Sequence, residues 1–238
     1  MVDLELDDGL AVITIDRPHA RNAISLETMD QLDKALDGAE GAQALVITGA
    51  GDRAFVSGGD LKELAAIRTE LDASAMAWRM RSICDRIAGF PTPTIAALNG
   101  HALGGGAEFA VAADIRLAAD DIKIGFTQVA LAIMPAWGGA ERLVELVGYS
   151  KALLLAGTGT VLEAAEAERI GLVDRVLPRE SFGEQWRAIT HSLATRPAGE
   201  IKRVMRGVST TEAVAAFARL WVSDEHWAAA DKVMKRDK

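Results

Sequence analysis

Leu10-Ala11-Val12-Ile13-Thr14-Ile15, Ala44-Leu45-Val46-Ile47-Thr48 and Thr94-Ile95-Ala96-Ala97-Leu98 are five- or six-residue runs of almost unbroken apolar or β-branched character. Segments this short do not make stable helices. With no polar face, they read as strands covered on both sides. The first run follows an alternating stretch in which Leu4 and Leu6 sit between acids. The Asp8-Gly9 pair between the two segments is a strong hairpin signal.

Helical spacing fills the gaps between these runs. Ser25 stands where a cap belongs, Glu27 suits the first-turn dipole, and Leu26, Met29, Leu32 and Leu36 form an apolar stripe. Residues 61–90 read as largely helical, stopping before Phe90-Pro91-Thr92-Pro93. Ile115–Ala118 and Ile122–Ile124 read as two further short strands. From about residue 138 the pattern is mostly helical, apart from one late strand at Leu172–Leu177. Strands alternating with helices, followed by helices alone, predict an α/β domain with a helical C-terminal extension. The division falls at an α/β core over residues 1–178 and a helical region over 179–238.

Composition narrows the partners. A formal net charge of −8 opposes nonspecific nucleic-acid binding, which needs a basic surface. It leaves room for a small anion met by a few local cations. The single cysteine, Cys84, permits no intrachain disulfide and reads as a buried apolar residue. Met1–Glu5 is acidic and carries no signal-peptide pattern. No apolar stretch approaches the roughly 18 residues that span a bilayer, so a cytoplasmic location is expected. His19, His101, His191 and His226 are scattered without ligand spacing, and no metal site is expected.

Three glycine-rich stretches invite a ligand. Gly49-Ala50-Gly51-Asp52-Arg53-Ala54 formally fits a dinucleotide fingerprint, but that motif must open a helix. Phe55-Val56-Ser57-Gly58-Gly59 cannot continue one well, so the match is rejected. The other two are Ser57-Gly58-Gly59-Asp60-Leu61-Lys62 and Leu103-Gly104-Gly105-Gly106-Ala107-Glu108. Each places glycines just before a helix, where unpaired N–H groups face outward at the positive end of the dipole. Alone, either reads as a tight turn. Together they suggest two donors aimed at one oxygen.

Five segments, in order, resemble the crotonase superfamily of enoyl-CoA hydratases and isomerases. They are Arg17-Pro18-His19-Ala20-Arg21-Asn22-Ala23-Ile24, Phe55–Lys62, Asn99–Glu108, Pro135-Ala136-Trp137-Gly138-Gly139-Ala140-Glu141-Arg142-Leu143 and Ala164–Val173. The resemblance implies a spiral of β-β-α units with a helical C-terminal region used in trimer assembly, as a homotrimer or a dimer of trimers. It implies an acyl-CoA substrate, with coenzyme A arriving as part of that substrate and no separate cofactor.

By the same resemblance, the N–H groups of Gly59 and Gly105 form an oxyanion hole, and Glu108 performs acid–base catalysis on the acyl chain. Arg21, Ala23, Ser57, Gly58, Asp60, Leu61, Lys62, Pro135 and Trp137 would bind the coenzyme A substrate, with Arg21 and Ala23 along the coenzyme A moiety and Asp60, Leu61 and Lys62 near the thioester and adenine. The family's hydratases carry a second glutamate seven residues before the proline that matches Pro135. Here that position is Gln128, which cannot ionise. Two-carboxylate hydration is therefore in question, and isomerisation or decarboxylation stays open. Ile133–Gly139 also resembles the ethylmalonyl-CoA decarboxylase branch. Three readings follow: a hydratase/isomerase-type enzyme, a malonyl-type (ethylmalonyl or methylmalonyl) acyl-CoA decarboxylase, and an acyl-CoA-binding protein with decayed activity.

Overall fold

A computed structural model describes residues 1–236 of the chain. Strands β1 (Val2–Asp7) and β2 (Leu10–Ile15) form the expected antiparallel hairpin. Asp8 and Gly9 both take positive φ, 41° and 82°, as a two-residue turn of this hand demands. Helix α1 (Leu26–Gly38) begins at Ser25, whose Oγ accepts from Thr28 N–H at 3.1 Å.

Beyond α1 the chain repeats one unit, strand–strand–helix. The first strand of each pair joins a large sheet and the second a small one. The pairs are β3 (Ala44–Gly49) with β4 (Ala54–Val56), β5 (Thr94–Leu98) with β6 (His101–Leu103), and β7 (Ile115–Ala119) with β8 (Lys123–Gly125). The helices that follow are α2 (Leu61–Leu64) and α3 (Glu70–Ala88), then α4 (Gly105–Ala110), then α5 (Gly139–Val147). Helix α6 (Tyr149–Thr158), β9 (Val161–Glu163), α7 (Ala164–Arg169) and β10 (Arg175–Leu177) complete the core elements. The large sheet runs β1-β2-β3-β5-β7-β10, all parallel after the hairpin; the small one runs β4-β6-β8-β9. In the small sheet Val56 pairs with Ala102.

Several elements differ from the sequence reading, each for a local reason. The segment 61–90 breaks between α2 and α3, where Thr69 starts the second helix by accepting from Asp72 N–H. The late strand shrinks to β10 because Leu172 and Val173 N–H both bond Ala167 O and wrap the end of α7. β4, β6 and β9 have three residues each, too few for any periodicity to show.

Helix α8 (Phe182–Leu193) packs on the large sheet and buries Phe182 and Trp186. Helices α9 (Arg196–Met205), α10 (Thr210–Trp221) and α11 (Asp224–Arg236) follow. Cys84 is buried on α3, as expected, and burial pushes its thiol up. Arg116 is only 1% exposed. Its guanidinium donates to Leu172 O and Ala113 O, both at 2.9 Å, and meets Asp174 Oδ2 at 2.5 Å. Arginine stays charged when buried, and without Asp174 it keeps only its carbonyl acceptors and the more distant Asp114 charge. Because Asp174 is itself half-exposed, Asp174→Ala is expected to cost about 2 kcal/mol, measured as a lower urea midpoint at unchanged slope.

Candidate active site

The site is built where β4 and β6 end. After β4 the chain turns through Gly58, whose φ of +100° requires glycine. Residues 57–60 are strung along the Arg21–Ile24 segment: Ser57 N–H donates to Arg21 O, Ile24 N–H to Gly58 O, and Asp60 N–H to Ile24 O. That segment is itself pinned by Asn22, which is 1% exposed. Its amide donates to Ala54 O at 2.7 Å and Ala50 O at 3.0 Å, and its Oδ1 accepts from Arg17 N–H.

Arg17 donates to Ala23 O and pairs with Asp60 and Glu63. Burial would raise the Asp60 carboxyl, but the Glu63 N–H and Arg17 outweigh it and hold Asp60 below the usual range. Asp60 thus caps α2 and staples two distant segments. Arg17 and Asn22 belong to the Arg17–Ile24 segment, but no local pattern in it marks these two residues. Only their contacts across the fold reveal them.

After β6, Gly104 turns the chain at φ 56° and its N–H bonds Gly125 O. The two turns touch: a Cβ on Gly58 would stand 3.2 Å from Gly105 N. A Cβ on Gly106 would stand 1.7 Å from Val56 O, so α4 and β4 meet backbone to backbone. Among the described residues neither Gly59 N–H nor Gly105 N–H donates to a protein acceptor. Two unpaired donors therefore sit on adjoining loops, as an oxyanion requires.

Glu108 lies one turn into α4 and is 2% exposed. Its Oε1 accepts from Gln128 Nε2 at 2.8 Å and Ala136 N–H at 3.3 Å; its Oε2 accepts from Trp137 N–H at 2.7 Å and Gly139 N–H at 3.1 Å. A carboxylate offers about four lone-pair sites, and here all are engaged. Burial raises its pKa and outweighs the lowering by the Trp137, Gly139 and Gln128 donors. The carboxyl exchanges its proton at a pH above the ordinary glutamate range. Gln128 is buried beside it, and its Oε1 is a buried side-chain oxygen with no partner among the described residues.

The Glu108 bonds also hold the loop that carries Trp137. Arg142 secures the loop's other side, donating to Trp137 O at 3.2 Å and to Asp85 Oδ1 at 2.5 Å. The indole lies against both glycine turns: Trp137 Cζ3 would be 2.4 Å from a Cβ on Gly105, and Cζ2 4.0 Å from one on Gly59.

The structure thus gathers Gly59, Gly105, Glu108, Gln128 and Trp137. Arg21 and Ser57 line a neighbouring cavity of about 830 Å³ together with Arg53, His101, Leu103 and Thr127. Arg53 and His101 were not expected there. They come from the starts of the two strands and share a cavity only through the small sheet. Gly58 shapes the turn, and Ala23 is buried behind it. Leu61 and Lys62 are exposed on α2 and lie outside that cavity's lining, and Pro135 is half-buried ahead of Trp137.

Residues 5–221 match the enoyl-CoA hydratase/isomerase family. A probable enoyl-CoA hydratase of Mycobacterium tuberculosis is 36% identical over 209 residues, 87% of this chain and 80% of that protein. One of Bacillus subtilis is 41% identical over 175 residues, 72% of this chain and 67% of that protein. The crystal structure of an enoyl-CoA hydratase from Bacillus anthracis superposes with a TM-score of 0.86 at 28% identity, covering 100% of this chain and 96% of that one. The chain belongs to the enoyl-CoA hydratase/isomerase family, and its α/β architecture of two sheets and C-terminal helices is the crotonase fold. It is an enzyme of that family acting on an acyl-CoA. The relatives just named lend no support to a decarboxylase branch for Ile133–Gly139.

Proposed function

We propose that this enzyme holds the thioester oxygen of an acyl-CoA between the N–H groups of Gly59 and Gly105 and stabilises the enolate formed there, with Glu108 handling one proton. The unpaired state of those two donors beside a buried carboxyl carries this reading. Charge developing on the thioester oxygen meets them without reorganisation, worth a few kcal/mol per donor. Gln128 supplies no second ionisable group, so a reaction needing one proton carrier fits better than two-carboxylate hydration. In double-bond isomerisation, ionised Glu108 takes a proton beside the carbonyl and returns it two carbons further on.

A second reading is favoured by Gln128, which leaves no second ionisable group beside Glu108 and so suits a step that needs no base. In a malonyl-type thioester the bond to the free carboxylate breaks, carbon dioxide leaves, and the electron pair becomes the enolate with no base needed. Glu108, protonated once it gives up one of its four N–H bonds, then delivers that proton to the α-carbon.

The two readings predict opposite pH limbs. Isomerisation needs the ionised form, so its rate rises with pH through the raised Glu108 pKa. Decarboxylation needs the protonated form, so its rate falls across the same window. Mass spectrometry of a panel of enoyl- and malonyl-thioesters, repeated across pH, separates them. Binding of coenzyme A thioesters with no turnover of any would instead favour the decayed binder. Gln128→Glu should raise water addition to crotonyl-CoA at least tenfold if the pocket is otherwise a hydratase's. No gain, with carbon dioxide released from a malonyl thioester, would select the second reading.

A cytoplasmic location and a trimeric assembly are part of the same proposal. A homotrimer, or a dimer of trimers, joined through the C-terminal helices is supported by exposed Phe217, Trp221 and Trp227 on the last two helices and Val222 between them. Among the described residues no helix is long and apolar enough to cross a membrane. Light scattering on the purified chain tests the assembly: a monomeric mass would refute it.

A further inference from the structure

We propose that the Trp137 indole is the wall of the acyl pocket and restricts this enzyme to short acyl groups. This rests on the oxyanion-hole reading of Gly59 and Gly105. The indole's benzo edge flanks both donors. Cζ3, Cη2 and Cε3 would lie 2.4, 2.5 and 3.0 Å from a Cβ on Gly105, while Cζ2 reaches towards Gly59. Leu64 Cδ1, 3.0 Å from the corresponding position on Gly59, closes the next sector.

The ring is not a free flap. Its residue is 7% exposed, its N–H is held by Glu108, its carbonyl by Arg142, and its neighbours Ala136 and Gly139 by the same carboxylate. Swinging the ring aside by moving its backbone would break bonds to the buried carboxyl. A thioester whose carbonyl oxygen reaches the two donors therefore places its first carbons against a fixed aromatic surface. An extended chain meets that surface end-on, whereas a short or branched one packs on it.

The test uses saturated thioesters, which undergo neither isomerisation nor decarboxylation, so binding is read apart from turnover. Butyryl-CoA and decanoyl-CoA are titrated by calorimetry into the native chain, Trp137→Phe and Trp137→Ala. The native chain should bind butyryl-CoA at least tenfold more tightly than decanoyl-CoA. Trp137→Ala should erase or reverse that ratio, with Trp137→Phe between them. Equal affinity in the native chain, or an unchanged ratio in a folded Trp137→Ala chain, overturns the wall while leaving the oxyanion hole standing. Binding of neither thioester overturns both. If Trp137→Ala does not fold, Trp137→Phe decides, and an unshifted ratio there is fatal to the wall.

Discussion

Glu108→Gln is expected to lower kcat by about a thousandfold, the scale set by loss of a positioned proton carrier. The isosteric change also disturbs structure. A glutamine has one carbonyl oxygen where Glu108 presents two, and its amide group would face the N–H donors now received from Gln128, Ala136, Trp137 and Gly139. At least one buried N–H would be stranded, at about 1–3 kcal/mol. The measurement is paired: single-turnover kinetics for the chemistry and a urea melt for the fold. Full activity on every thioester that the native chain turns over would remove Glu108 from the mechanism.

Gly105→Ala is expected to cut kcat/KM at least a hundredfold, the scale for spoiling one oxyanion donor. Space is the cause: the new methyl would stand 2.4 Å from Trp137 Cζ3 and 2.5 Å from Cη2. The ring is buried and its main chain is held by Glu108 and Arg142, so it cannot retreat cheaply. At Gly59 the nearest obstacle is Leu64 Cδ1 at 3.0 Å, the far end of a flexible side chain, so Gly59→Ala should be milder. If the indole is the obstruction, Gly105→Ala should cost much less when Trp137 is already alanine. A double-mutant cycle should show a coupling of about 1 kcal/mol or more. Additive losses would mean that the methyl acts on the backbone instead.

Much of this site was legible in the chain because its key groups are glycines and main-chain amides in short motifs. The hairpin at Asp8-Gly9, the Ser25 cap and the helix opened by Gly105 follow from local rules. The dinucleotide fingerprint at Gly49–Ala54 was rightly set aside, since β4 occupies the place a helix would need. What stayed hidden was long-range. The Arg17–Asp60 pair spans 43 residues and the Asn22–Ala54 bond 32, and no periodicity records either. The fourfold hydrogen bonding of Glu108 depends on how the loop after Pro135 folds back over α4. The resemblance marked Glu108 as an acid–base group, but its saturated state is a property of packing alone.

The spacing of the two amides has its origin in the small sheet. Gly59 stands three residues beyond Val56, and Gly105 three beyond Ala102, the residue that Val56 faces across the ladder. The two donors thus leave adjoining strands, which lie about 4.8 Å apart, and the loops still touch where Gly58 comes up against Gly105 N, a gauge set by the ladder. No side-chain exchange elsewhere on the surface retunes such a gauge. A single residue inserted into either overhang would put the pair out of step while leaving every strand in place.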